Sequence, residues 1–205
     1  MKIGIALRTC DSVLNYWNAK RIVDCSKQEL ILTCFNSLLR SISFDLNHSS
    51  DEILLSIHDA KSSESTKIKL LELANKFNIT TELFECELLD NFKSQYNWCK
   101  TLECDYLYCV EDDYLHVYSA IKDMREVVEE FSKFFPGDYA VHPFNNPHRY
   151  ASPDMLYPSF ILKGPTQYWR SSFHSTHTFF ISKKSFIDYD LLMMKQAADF
   201  PNCTE

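Results

Sequence analysis

Cys104-Asp105-Tyr106-Leu107-Tyr108-Cys109-Val110-Glu111-Asp112-Asp113-Tyr114-Leu115-His116 is the stretch on which the rest of the chain hangs. Tyr106 to Val110 is an unbroken apolar and aromatic run, the pattern of a strand covered on both faces of a sheet. Three acids follow at once, Glu111, Asp112 and Asp113. Carboxylates crowded at a strand end repel one another and lose hydration, so the cluster calls for a cation, and a divalent metal neutralises it best. Ligands of open α/β sheets bind outside the carboxyl ends of the strands, so the acids fall where a metal and a phosphorylated ligand are expected. Extended geometry places Glu111 and Asp113 on one side and Asp112 on the other, so that two carboxylates converge on one ion. The plainer alternative is a solvated turn, or a cap for the helix that begins near Ser119.

Upstream of this stretch, strands and helices alternate. Lys2 to Leu7 is an apolar strand ending in Arg8-Thr9-Cys10-Asp11, and residues 12–26 are irregular. Leu30, Ile31, Cys34, Phe35, Leu38, Leu39 and Ile42 recur at helical spacing. Ile53 to Ile57 is a second strand, closing on His58-Asp59 as the first closes on Arg8-Thr9. A helix over Lys67 to Phe77, a strand over Thr80 to Phe84 and a helix marked by Leu89, Phe92, Tyr96 and Cys99 complete the order βαβαβαβ. That alternation predicts a three-layer α/β fold with a mainly parallel sheet and right-handed crossovers.

Downstream, Ile121 to Phe134 is a strongly periodic helix stopping before Pro136-Gly137, and Tyr139 to Phe144 is strand-like. Residues 145–158 carry three prolines and form a long loop of the kind that usually has a function. Ser159 to Lys163 and Tyr168 to Ser182 read as strands parted by Gly164-Pro165, and a helix from Ser185 to about Ala198 ends the fold. On the long strand His174 and His177 face opposite sides, so they cannot share one ion. His174, beside Thr176 and Thr178, is the candidate metal ligand; His177, beside Phe173, Phe179 and Ile181, reads as a core residue. Arg149, Lys163 and Arg170 are candidate phosphate or acceptor contacts, with solvated surface charge as the alternative.

Composition narrows the function classes. The chain of 205 residues suits one domain, and 45% apolar with 24% charged residues is ordinary globular composition. The net charge of −7 argues against a nucleic-acid groove or an anionic membrane as the main partner. No apolar stretch approaches the ~20 residues of a membrane span, and Met1-Lys2-Ile3 opens into a strand pattern rather than a signal peptide, so a cytoplasmic protein is expected. Eight cysteines without a Cys-x-x-Cys pair suggest reduced thiols. With only three glycines, Gly4, Gly137 and Gly164, the chain has neither a P-loop nor a dinucleotide-binding glycine turn.

A nucleotide-binding α/β half, an acidic strand end near mid-chain and an irregular, β-rich second half together resemble the GT-A family of glycosyltransferases. Glu111-Asp112-Asp113 is similar to that family's Asp-x-Asp motif, with Glu in the first place and Asp in the last. The resemblance implies one GT-A-like domain over 1–205, with 1–116 binding the nucleotide and 117–205 the acceptor. It implies transfer of a sugar from a nucleoside-diphosphate-sugar donor to a glycan or other hydroxyl acceptor, with Mn2+ or Mg2+. Arg8, Thr9 and Asp11 would line the nucleoside pocket, Asp59 would contact base or ribose, Asp112 would stand on the cofactor side, and Asp113, with Glu111, would hold the metal. The family's catalytic base often lies in an acidic segment leading into a helix near the end of such a chain, which ranks Glu205 first, Asp199 second and Asp154, in the Pro-rich loop, third. Tyr114, Tyr150, Tyr157, Tyr168 and Trp169 offer flat faces for sugars. The scarcity of glycine departs from the family. A nucleotidyltransferase or phosphohydrolase using the same acids, or a non-catalytic sugar- or nucleotide-binding protein, are the alternatives.

Overall fold

The computed structural model describes residues 1–12, 24–87, 90–135, 139–144, 159–172 and 177–189. Its first half follows the expected alternation: β1 (Lys2–Thr9), α1 (Lys27–Leu46), β2 (Glu52–Ala60), α2 (Glu64–Lys76), β3 (Thr81–Cys86), α3 (Asn91–Thr101) and β4 (Tyr106–Glu111). Then come α4 (Ala120–Phe131), β5 (Ala140–Val141), β6 (Ile161–Lys163), β7 (Tyr168–Arg170), β8 (Phe179–Ser182) and a short helix, α5 (Lys183–Asp188). The main sheet runs in the order β3-β2-β1-β4-β8-β5. β1 pairs in parallel with β2 and β4, and β2 with β3, while β8 runs antiparallel to both β4 and β5. The fold is therefore α/β with a mixed, mostly parallel sheet.

Side-chain alternation builds the two outer layers. Ile3, Ile5 and Leu7 of β1, with Tyr108 and Val110 of β4, bury against Phe35, Leu38 and Leu39 of α1 and Met124, Val127 and Val128 of α4. Ala6, Leu107 and Cys109 look the other way, onto Phe92, Tyr96 and Cys99 of α3 and Phe186 of α5. Each such aliphatic side chain, fully buried, contributes about 1.5–3 kcal/mol. Gly4 lies on the α3 side, where any side chain would collide with Leu102. No disulfide joins the described cysteines, and Cys99 and Cys109 meet inside this second layer with their sulfurs 3.8 Å apart.

Helix α1 opens with a capping box. Ser26 Oγ accepts the Glu29 amide at 3.1 Å and Glu29 Oε2 accepts the Ser26 amide at 2.8 Å. Farther along, Ser37, Ser41 and Asp45 stand four residues apart and so lie one above another on the helix. Ser37 Oγ accepts the His116 amide at 2.8 Å, Ser41 Oγ the Ile121 amide at 2.9 Å, and Asp45 Oδ1 the Arg125 Nε–H at 3.1 Å. The chain leaving β4 is thus laid down along α1 rung by rung. Ser119, at the start of α4, makes no side-chain cap, and Ser41 satisfies an amide of that first turn instead.

The second half departs from expectation in three places. The run Tyr168 to Ser182 is not one strand: β7 pairs with β6 in a separate two-stranded ribbon, and β8 joins the main sheet. The strand expected over Tyr139 to Phe144 is confined to Ala140–Val141. The last described helix, Lys183–Asp188, starts directly after β8 rather than at Ser185, capped by Ser182, whose Oγ accepts the Ser185 amide at 3.1 Å, while 190–198 of the expected helix lie outside the described residues. Among the described residues no helix is long and apolar enough to cross a membrane.

Candidate functional site

The chain places β2 and β3 on one side of β1, then crosses to the other side for β4, so a topological switch point lies between β1 and β4. Ligands of such sheets bind in the crevice at the carboxyl ends flanking this point. Parallel register sets Arg8 opposite both His58 and Glu111, and Thr9 opposite Asp59. Alternation then sorts them: Arg8, His58 and Glu111 face α3, whereas Thr9 and Asp59 face the α1 and α2 side.

Arg8 donates from Nη2 to Glu111 Oε1 at 2.6 Å, and its guanidinium lies 5.0 Å from the centre of the Phe92 ring. Its Nε is buried with no hydrogen-bond partner. Burial raises the Glu111 carboxyl above the ordinary value, against the opposing pull of Arg8. The Glu111 amide donates to Thr178 Oγ1 at 3.2 Å, tying the strand end to the entry of β8. His177 is half-buried with its ring edge-on to Phe92 at 5.1 Å. Burial, with Arg8 nearby, pushes its imidazole down to about 4.

Asp112 is satisfied on both oxygens. Oδ2 accepts the Cys10 amide at 3.0 Å and Oδ1 meets Lys27 Nζ at 2.5 Å. Burial raises this carboxyl too, and Lys27 is the chief opposing influence. Asp113, by contrast, is exposed and has no hydrogen-bond or ion-pair partner among the described residues. β4 ends at Glu111 and the chain turns at Asp112 and Asp113, so two-residue alternation stops there and does not govern which way these two acids point. Two cations of the chain's own, Arg8 and Lys27, therefore stand against three carboxylates.

The remaining nucleoside-pocket candidates are held by one another or by residues at the start of α2. Thr9 Oγ1 donates to Asp59 Oδ1 at 2.7 Å, and Asp59 Oδ2 accepts the Ser62 amide at 2.9 Å, with Asp59 fully buried. Asp11 accepts from the Ser63 amide and hydroxyl and from the Thr66 hydroxyl, which holds its carboxyl below the ordinary value despite partial burial. His58, also fully buried, sits between Ser56 Oγ at 2.9 Å and Ser94 Oγ at 2.8 Å and stacks on Phe84. Burial, with Arg8 second, lowers it to about 4, so the ring is neutral.

Glu205, Asp199, Asp154 and His174 lie outside the described residues, as do Arg149, Tyr150 and Tyr157. Lys163, Tyr168, Trp169 and Arg170 belong to the β6–β7 ribbon, where Lys163 pairs with Tyr168 across the strands. Trp169 packs on the core and Tyr168 is exposed. Tyr114 is half-buried, edge-on to Phe144.

Sequence reasoning missed Lys27, Phe92 and Thr178 as members of this site. A signal for Lys27 existed: a crossover helix begins where its preceding strand ends, so the first residue of α1 lies beside the carboxyl ends of the strands. Among the described residues no three His, Cys, Asp or Glu side chains group to hold a metal. The exposed Asp113 suits the other mode of binding, in which one or two carboxylates and the phosphates of a substrate share a hard cation. No protein-family model matches this chain, and no curated protein matches it.

Proposed function

We propose that this protein is a metal-dependent glycosyltransferase of GT-A-like organisation, moving a sugar from a nucleoside diphosphate to an acceptor hydroxyl. One observation carries the reading: an acidic strand end lies beside the switch point of the sheet, and its last acid, Asp113, is exposed and unpartnered among the described residues. A charge left in this way at a ligand-binding edge is a ready contact for a cation that arrives with its ligand.

Asp113 would hold Mn2+ or Mg2+, with Glu111 as a second carboxylate. Bound there, the metal supplies positive charge against the negative charge that builds on the leaving diphosphate. Arg8 and Lys27 each compensate one acid, so an incoming diphosphate meets far less repulsion than three bare carboxylates would exert. Thr9, Asp11 and Asp59 brace the strand ends that form the floor of the nucleoside pocket. The base that takes the acceptor proton is proposed among Glu205, Asp199 and Asp154, in that order, and His174 as a further metal ligand. Cysteines without a disulfide among the described residues fit a reducing compartment such as the cytoplasm.

Calorimetry of nucleoside diphosphates with manganese and with chelator tests the proposal. Binding should be strong only with the metal, and Asp113→Asn should weaken the metal-dependent binding by about tenfold or more, roughly 1.4 kcal/mol. Equal affinity in chelator sinks the metal assignment. Release of pyrophosphate from a nucleoside triphosphate, in place of nucleoside diphosphate from a nucleotide-sugar, would make the protein a nucleotidyltransferase.

A further inference from the structure

The turn that carries Asp113 is fastened on both sides. On its amino side, Asp112 is held by the Cys10 amide at 3.0 Å and Lys27 Nζ at 2.5 Å. On its carboxyl side, the His116 amide donates to Ser37 Oγ at 2.8 Å, and His116 Nε2 lies 2.8 Å from the hydroxyl of the fully buried Tyr108. Ser37 is itself oriented, because its hydroxyl donates to the Cys34 carbonyl at 2.6 Å and so turns a lone pair toward the His116 amide. Only Asp113, Tyr114 and Leu115 span the gap between these fastenings.

Ordering a loose turn on binding costs about 1–2 kcal/mol for each residue fixed, a cost that is avoided when the turn is already held. Ser37 stands ten residues into α1 from Lys27, about 15 Å along a helix, and its hydroxyl is already engaged by the Cys34 carbonyl and the His116 amide. Resting on the metal-dependent reading above, we propose that Ser37, through His116, and Lys27, through Asp112, are positioning residues that hold the Asp113 carboxylate where metal and diphosphate meet. Neither is needed to make Asp113 acidic or exposed. Their role is to fix its place.

The test titrates manganese into the full chain with saturating UDP, and in parallel GDP, and compares Ser37→Ala, Ser37→Thr and Lys27→Met with the parent. Ser37→Ala and Lys27→Met should weaken manganese uptake by about tenfold, while Ser37→Thr, which keeps the hydroxyl, stays near the parent. In an Asp113→Asn background neither substitution should cost anything more, since both act through that carboxylate and independent effects would add. Amide exchange at 112–116 should quicken in Ser37→Ala. Lys27→Met releases the opposite fastening and serves if Ser37→Ala fails to fold. If the parent takes up manganese and the variants match it, or their losses add to that of Asp113→Asn, the positioning role is overturned and the metal reading stands. If the parent shows no manganese-dependent nucleotide binding, both fall.

Discussion

At the amino end of the sheet Arg125 lies between two aspartates, its Nε–H donating to Asp45 at 3.1 Å and approaching Asp51 at 3.0 Å, while Asp51 also receives the Met1 amine at 2.7 Å. At the carboxyl end Arg8 and Lys27 face Glu111, Asp112 and Asp113. Both ends bring opposite charges together around residues that the core holds still. At the amino end Asp45, Asp51 and Arg125 are all nearly shut off from water. At the carboxyl end the innermost pairs are compensated, but one acid, Asp113, stands in solvent without a partner among the described residues. At the amino end each of the two buried aspartates has a cation beside it. At the carboxyl end, where ligands of such sheets bind, one acid is left over for the proposed metal.

The sharpest way to break this contrast is Arg125→Met. It strands Asp45 as a buried charge, leaves Asp51 only the Met1 amine, and should cost about 3–5 kcal/mol in denaturant unfolding, with metal-dependent nucleotide binding by the remaining folded protein unchanged. A cost below 1 kcal/mol, on the order of an exposed pair, would mean that the amino-end network is as open as the other.

The next largest effect is one of pH. The folded state holds His58 near 4, whereas an unfolded histidine titrates near 6.5. Between those values the unfolded chain takes up a proton that the folded chain refuses, so this group's contribution is full above 6.5 and is lost as pH falls toward 4. The loss amounts to about 3 kcal/mol. NMR titration of the His58 ring checks it: the ring should stay neutral through the range where free histidine titrates, and a step near 6.5 would remove the effect.

Asp59→Ala follows. It deprives Thr9 Oγ1 and the Ser62 amide of their buried acceptor, at about 1–3 kcal/mol in denaturant unfolding, and nucleotide affinity measured on the folded variant separates any ligand role from this structural one. The smallest effect on stability belongs to Asp113→Asn. An exposed, unpartnered side chain should change unfolding free energy by no more than about 0.5 kcal/mol even as metal-dependent binding falls about tenfold or more.

Much of this contrast could be read in the sequence, within limits that have physical causes. Helical spacing at Leu30 to Ile42 and continuous apolar runs at Ile3 to Leu7 and Tyr106 to Val110 announced their elements, because burial on one stripe or on both faces leaves its period in the chain. The acids at Glu111 to Asp113 were legible for the same reason, as the abrupt end of such a run. Their partners were not. Lys27 meets Asp112 across 85 positions and Arg8 meets Glu111 across 103, distances at which local pattern carries no information. The strand expected over Tyr168 to Ser182 failed similarly: alternation says that residues are extended, but not that β7 turns to β6 while β8 joins β4. Beyond Glu111 alternation carries no information, because a period of two holds only while the strand lasts.

The rungs of α1 join Ser37 to His116, Ser41 to Ile121 and Asp45 to Arg125, pairs 79, 80 and 80 residues apart. Between the partners of each pair the chain runs through β2, α2, β3, α3 and β4. The acidic turn has a local contact, His116 with Tyr108, but its other fastenings are long-range, and contacts of such separation are slow to close in folding. A chain that is only partly folded carries the same three acids without the long-range contacts that hold their turn, so the turn is complete only together with the sheet.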